Sequence, residues 1–151
     1  MLNEHLVVIP VRSFRHGKQR LGSAVPDAER QELQRDWLRT VVAAARGLPV
    51  LVVSDDDEVA AFADGLGVGV ERPGVGGLDA AVEASVVENG RGRRRITIAH
   101  ADLPRAVDLR SVVEGIEPDA ALIITDRSGD GTNVMSLPLR DGSLPIPLAY
   151  G

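Results

Sequence analysis

The chain contains no cysteine in its 151 residues. Disulfides, thiolate zinc sites and a cysteine nucleophile are therefore excluded, and the search for a metal site is directed toward hard carboxylate oxygens. No apolar run approaches the roughly 18 residues that a membrane span needs. Residues 1–10 also lack the basic start and the small-residue cleavage site of a secretory signal. We therefore predict a cytoplasmic protein with no membrane partner.

Lysine is almost absent, because Lys18 is the only lysine among 17 basic residues. It lies in an early cluster with Arg12, Arg15, His16 and Arg20. A compact ammonium on a flexible stem suits a phosphate-binding loop, although a solvated surface lysine is the plain alternative.

Nucleic-acid binding has little support in the charge pattern. The net charge is −5, and the basic run at 91–95 contains no aromatic residue on which a base could stack. We interpret this run as a solvated loop and expect no nucleic-acid partner.

Strand and helix patterns alternate along the chain. Predicted strands cover 5–11, 50–53, 68–71, 96–99, 120–125, 133–139 and 146–150. Helical spacing follows the first strand, where Leu33, Trp37, Val41 and Ala45 lie four residues apart. We predict an α/β fold, a three-layer sandwich with a mainly parallel central sheet and a late antiparallel addition. The length fits one domain over 1–151.

The loop at 12–22 follows the first strand and is the first candidate site. Its glycines permit close approach of the backbone, and its cations suit a polyphosphate. It is not a Walker A loop, because Gln19 rather than Ser or Thr follows Gly17-Lys18. No G-x-G-x-x-G fingerprint occurs in it either. A mobile basic loop is the alternative interpretation.

Asp102 follows a short apolar strand and is the second candidate. A carboxylate at that point can hold Mg²⁺, which would bridge phosphate oxygens. The alternative is an aspartate that stabilises the turn before Pro104. His100, two residues earlier, is interpreted as structural because no histidine-rich metal spacing surrounds it.

The segment 126–133 is the third candidate, with two glycines and several short polar side chains. Its backbone amides and the Thr132 hydroxyl suit a small phosphate or carboxylate. A plain Asp-Gly hairpin turn also explains the pattern.

Six short segments occur in the order typical of one family. They are Ile9-Pro10-Val11, Lys18-Gln19-Arg20-Leu21, Val53-Ser54-Asp55-Asp56, Gly76-Gly77-Leu78, Ala101-Asp102-Leu103-Pro104 and Gly131-Thr132-Asn133. In these the chain resembles the 2-phospho-L-lactate/phosphoenolpyruvate guanylyltransferases of coenzyme F-420 biosynthesis. That family is similar in fold to Rossmann-like nucleotidyltransferases such as molybdenum-cofactor guanylyltransferase, with a nucleotide-diphospho-sugar-transferase-like architecture.

The resemblance implies attack of a small phosphorylated acid on GTP, with release of pyrophosphate. Its implied catalytic residues are Lys18 and Asp102, and Asp102 would also bind Mg²⁺. Thr132 and Gly151 would bind the acid, for which we favour phosphoenolpyruvate over 2-phospho-L-lactate. The candidate nucleotide-binding residues are Arg12, Lys18, Arg20, Ser54, Asp55, Gly77 and Leu78.

Two departures from the family pattern are visible. Asp79 stands where family members commonly have Asn, and the Ser of a Gly-x-x-Ser element beginning at Gly151 is absent. We therefore expect that the domain lacks its C-terminal segment here. Apolar residues near Gly151 fit either a homodimer surface or contact with that segment. Two other hypotheses stay open: a nucleotidyltransferase with another acceptor, and a catalytically inactive GTP-binding module.

Overall fold

A computed structural model describes residues 2–74, 76–106 and 108–148 of the chain. The strands are β1 (His5–Pro10), β2 (Val50–Val53), β3 (Gly69–Glu71), β4 (Arg95–Ala99), β5 (Leu122–Thr125) and β6 (Thr132–Pro138). The helices are α1 (Asp27–Ala44), α2 (Asp57–Gly65), α3 (Leu78–Asn89) and α4 (Leu109–Glu114). Short 3-10 helices cover Leu2–Glu4 and Gln19–Leu21. No helix in the described ranges is long and apolar enough to cross a membrane.

The six strands form one sheet in the order β3-β2-β1-β4-β6-β5. Strand β1 pairs in parallel with β2 and β4, and β2 pairs in parallel with β3. Strand β6 pairs antiparallel with both β4 and β5. The predicted mainly parallel sheet with a late antiparallel addition is therefore confirmed.

Alternate side chains of the central strands enter two separate cores, as the two-residue period of a strand requires. On one face, Val7 and Ile9 of β1 pack with residues of α1, α2 and α4. On the other face, Leu6 and Val8 pack with residues of α3. Helices cover both faces, and the predicted three layers are confirmed.

The predicted strand at 146–150 is wrong over the residues that the structure describes, since 146–148 form no strand. Pro145 and Pro147 supply no amide for a strand ladder on either side of Ile146. The Leu148 amide donates instead to the Glu83 carboxylate of α3 (2.9 Å). Residues 149 and 150 lie outside the described part of the chain.

The predicted solvated loop at 91–95 is also wrong at its last residue. Arg95 begins β4 and is 3% exposed. Its guanidinium donates to the carbonyl oxygens of Glu117, Pro118 and Ala120 at 3.0, 3.0 and 2.8 Å. All three carbonyls surround Nη2, and Nη1 donates to the Ser136 hydroxyl at 3.3 Å. These polar partners explain how a charged side chain is accommodated at a buried position.

Candidate functional site

The carboxyl ends of β1, β2 and β4 meet at one edge of the sheet, because these strands run parallel. Antiparallel β6 begins at the same edge, where the His100 amide donates to the Asn133 carbonyl (3.0 Å). A cavity of about 710 Å³ opens there. It is lined by Pro10, Val11, Arg12, Ser13, Phe14, Gly17, Lys18, Gln34, Trp37, Gly76, Gly77, Asp79, Ala80, His100, Ala101 and Asp102. Ligands of open α/β sheets bind at this edge.

The loop after β1 is anchored to the core by Phe14, which is 1% exposed. The Phe14 ring meets Phe62 of α2 edge to face, with centroids 5.6 Å apart. The Arg35 guanidinium lies over the same ring, 5.0 Å from its centroid. Ser54 after β2 donates to the Arg12 carbonyl (3.4 Å). These contacts pack the start of the loop against α1, α2 and the end of β2, so that the loop forms one wall of the cavity.

Lys18 projects from this loop across the cavity and forms an ion pair with Asp102. Asp102 follows β4, and its second oxygen lies 3.6 Å from His100 Nδ1. The contact with His100, and after it the Lys18 ammonium, lower the pKa of Asp102 well below its ordinary value, while burial acts in the opposite direction. Asp102 is therefore ionised at neutral pH. Its carboxylate and the Lys18 ammonium lie side by side in the cavity wall.

The amino end of α3 forms the opposite wall of the cavity. Gly77 occupies its N-cap position with φ of 83°, and no side chain caps the helix there. A positive φ of this size favours glycine. Uncapped amides at a helix N-terminus attract negative groups. This wall therefore presents backbone amides to the cavity together with the Asp79 carboxylate of the first helical turn.

A smaller cavity of about 180 Å³ adjoins the first and shares Pro10, Val11, Arg12 and Gly77 with it. Ser54 and Asp55 line this smaller space. The Asp55 carboxylate accepts from the Gly74 amide (3.1 Å) and so connects the loop after β2 with the loop after β3. The two cavities together form one cleft that could hold an extended ligand.

The structure brings together most of the residues that the sequence marked. Arg12, Lys18, Gly77 and Asp102 line the larger cavity, while Ser54 and Asp55 line the smaller one. The candidates that line neither cavity are Arg20, which is exposed in the 3-10 helix Gln19–Leu21, and Thr132, which begins β6 at the same sheet edge. The Leu78 side chain and Gly151 lie outside the described part of the chain. The catalytic, nucleotide-binding, acid-binding and metal-binding roles of all these residues stay predictions.

The segment 126–133 forms a turn around the Asp126 carboxylate. Asp126 accepts from the Gly129 and Asp130 amides at 2.7 and 3.2 Å, and from the Ser128 hydroxyl at 2.9 Å. These hydrogen bonds lower the pKa of Asp126, with that from Ser128 the largest cause. The amides proposed for anion binding thus have an internal acceptor, which favours the hairpin interpretation.

Sequence reasoning missed the contribution of α1. Gln34 and Trp37 both line the cavity, although the four-residue spacing assigns Trp37 to the apolar stripe that predicts the helix. His100, interpreted as structural, lies beside Asp102 in the cavity wall. The structure shows that the buried stripe of α1 runs through Leu38 rather than Trp37, since Leu38 and Val41 are fully buried and Leu33 is exposed. A stripe centred on Leu38 turns Trp37 toward the cleft.

The donor set suits Mg²⁺ bound jointly by protein and substrate. Among the described residues, no three His, Asp or Glu side chains are grouped as a metal site. Mg²⁺ commonly takes only one or two protein carboxylates and completes its shell with water and substrate phosphates. Asp102 is an ionised carboxylate facing the cavity, so it fits this type of site.

Solved structures define the class of this fold. A chain described as a nucleotide-diphospho-sugar transferase from Desulfovibrio desulfuricans G20 matches with a TM-score of 0.72 at 18% identity, covering 90% of this chain and 64% of that one. The 4-diphosphocytidyl-2C-methyl-D-erythritolsynthase of Anaerococcus prevotii matches with a TM-score of 0.59 at 9% identity, covering 91% and 70%. The predicted nucleotide-diphospho-sugar-transferase-like fold is confirmed.

The family follows from the sequence comparisons. The model of the family "Guanylyl transferase CofC like" matches residues 5–147, and the chain belongs to that family. Phosphoenolpyruvate guanylyltransferase of Rubrobacter xylanophilus is 34% identical over 151 residues, covering 95% of this chain and 73% of that protein. 2-Phospho-L-lactate guanylyltransferase of Methanocaldococcus fervens is 31% identical over 134 residues, covering 87% and 60%. The chain thus spans less than two thirds of the second protein's length.

Proposed function

We propose that the full-length protein is a guanylyltransferase that joins GMP from GTP to phosphoenolpyruvate in deazaflavin coenzyme F-420 biosynthesis. A phosphate oxygen of the acid forms a bond to the α-phosphorus of GTP, the bond to the β-phosphate oxygen breaks, and pyrophosphate leaves. Phosphoenolpyruvate is favoured over 2-phospho-L-lactate because the Rubrobacter relative has the higher identity and the larger coverage.

The ion pair of Lys18 and Asp102 carries this proposal. It places a cation and an ionised carboxylate side by side in a 710 Å³ cavity at the ligand-binding edge of the sheet. A polyphosphate with its metal offers each partner a new counter-ion, a phosphate oxygen for Lys18 and Mg²⁺ for Asp102. When bound, Mg²⁺ would neutralise charge that develops as pyrophosphate leaves. Lys18 would hold the phosphates, so that catalysis arises from positioning and charge neutralisation.

The smaller cavity is the proposed place for part of the guanosine. Asp55 lines it beside the backbone of Gly77, and its carboxylate, which accepts one hydrogen bond from the Gly74 amide, has further acceptor positions for a base. Hydrogen-bonding groups held in a cleft are the usual source of selectivity among bases. The cytoplasmic location, the absence of a nucleic-acid partner and a homodimeric state stay predictions.

The test is pyrophosphate release by the full-length protein with GTP, Mg²⁺ and either acid, and GTP without acid is the control. Release with phosphoenolpyruvate and not with 2-phospho-L-lactate supports the proposal in full. Release with 2-phospho-L-lactate alone corrects the acid. No release with either acid, or a preference for CTP or UTP, rules out this function.

A further inference from the structure

Gln34 of α1 is hydrogen-bonded to the backbone of the loop that carries Lys18. Its Nε2 donates to the Phe14 carbonyl oxygen at 2.8 Å and lies 3.5 Å from the Gly17 carbonyl oxygen. The loop between them forms one helical turn, in which the Gly17 amide donates to the Ser13 carbonyl (3.0 Å). The carbonyls at the end of a turn have no partner within it. The Gln34 amide supplies the donor that the turn itself lacks.

Gly17 and Gln34 fit together closely. A Cβ atom at position 17 would lie 1.9 Å from Gln34 Oε1 and 2.9 Å from the Ser13 carbonyl oxygen. Any side chain at this position would therefore displace either Gln34 or the loop. The absence of a side chain at Gly17 is what allows the helix to approach the loop backbone.

Lys18, the next residue, adopts a positive φ of 54°. Residues other than glycine hold this left-handed conformation only where their surroundings fix it. The backbone conformation at Lys18 decides the direction in which its side chain leaves the loop, and that direction leads to Asp102. The contact that fixes the preceding turn thus also fixes the direction of the ammonium.

We propose that Gln34 is a positioning residue that holds the 13–18 turn so that Lys18 faces the phosphates of the bound nucleotide. Its effect on binding is exerted through Lys18. This inference rests on the proposed function, because it requires that Lys18 contacts those phosphates. It also assigns a purpose to a helix residue outside every motif that the sequence displays.

The test compares variants of the full-length protein by isothermal titration with GTP and Mg²⁺, and by steady-state kinetics. Gln34→Ala removes the donor, and Gln34→Glu replaces the donor by an acceptor of nearly the same shape. Gln31→Ala is the matched control, a glutamine on the same helix without a side-chain hydrogen bond in the described structure. Lys18→Ala and the double variant with Gln34→Ala complete the set. All binding is measured below the lowest melting temperature among the variants.

We expect both Gln34 variants to weaken GTP binding about fivefold to tenfold, and Lys18→Ala to weaken it by roughly 10- to 100-fold. Gln31→Ala should bind as the unmodified protein does. The double variant should bind no more weakly than Lys18→Ala alone, because a residue that acts through Lys18 has no effect once Lys18 is absent.

Each contrary result has a distinct meaning. If the losses in the double variant multiply, Gln34 contacts the nucleotide directly and the positioning role is wrong. If the Gln34 variants lose thermal stability and keep full affinity, the residue is merely structural. An unchanged affinity for Lys18→Ala overturns the phosphate contact and the inference with it. Absence of GTP binding by the unmodified protein overturns the proposed function itself.

Discussion

Replacing Asp102 by Asn separates catalysis from folding at this site. Asn keeps the shape of the side chain and removes its charge, so Lys18 loses its ion-pair partner while the turn before Pro104 keeps a hydrogen-bonding group. We expect turnover to fall by about 10²- to 10³-fold, which is roughly 3–4 kcal/mol of transition-state stabilisation lost with the metal ligand. GTP affinity measured without Mg²⁺ should stay equal or increase. In the variant, Lys18 no longer has to leave the Asp102 carboxylate in order to bind a phosphate of GTP.

The stability of the same variant should change little. The Lys18 and Asp102 side chains are 42% and 28% exposed, and ion pairs this open to solvent contribute no more than about 1 kcal/mol. For a chain of this length that corresponds to a melting shift within about 4 °C. Pyrophosphate release and thermal unfolding on one preparation give both numbers. A larger drop in melting temperature with nearly full turnover would refute the metal-ligand role of Asp102. It would favour the alternative that Asp102 stabilises the turn before Pro104.

Three further predictions concern the core and pH. Arg95→Met should lower the free energy of unfolding by about 3 kcal/mol, because three carbonyls lose a charged donor. Unfolding in denaturant measures this change, and a loss below about 1 kcal/mol would contradict the prediction. Phe14→Ala should cost about 3–5 kcal/mol in the same assay, whereas Val87→Ala, 80% exposed, should stay within about 0.5 kcal/mol. Because the pKa of Asp102 is lowered by folding, its contribution to stability is present above the unfolded value of about 3.9 and is lost only as pH falls through the lower folded value. Carboxyl NMR titration should therefore show Asp102 ionised below pH 3.9, and a midpoint at or above that pH would contradict the contacts of Asp102 with His100 and Lys18.

The regular elements were predictable where local pattern and tertiary environment agree. The strand at 50–53 is β-branched apart from Leu51, and the following acidic run supplies the cap: Asp56 accepts from the Glu58 and Val59 amides at 3.0 Å. Both signals are local, so the sequence contains them in full. The strand predicted at 146–150 is absent over 146–148, where apolar content favours a strand but Pro145 and Pro147 cannot donate to a ladder.

Contacts between distant parts of the chain could not be predicted in this way. Arg95 stands in a run of arginines that the sequence predicts to be exposed. Its burial is explained by acceptors that the fold brings beside β4, the carbonyls of Glu117, Pro118 and Ala120 and the Ser136 hydroxyl. In the sequence Gln34 resembles any polar residue on a helix. Only the fold, which places the 13–18 turn against α1, shows its hydrogen bond to the loop. Lys18 and Asp102 were identifiable because each follows a strand whose carboxyl end lies at the ligand-binding edge.

The position of β6 between β4 and β5 constrains the order in which the sheet assembles during synthesis. Strand β5 leaves the ribosome before β6, yet among the described strands β5 pairs only with β6. Strand β5 can therefore pair only after residues 132–138 have been synthesised. A nascent chain that ended before them would hold four parallel strands with β4 as an open edge, and β4 pairs with β6 through five consecutive residues. An open edge of that kind invites pairing with other chains. The hairpin of β5 and β6 covers β4 and leaves the four-residue strand β5 as the edge of the sheet, and a short edge offers other chains fewer backbone groups to pair with.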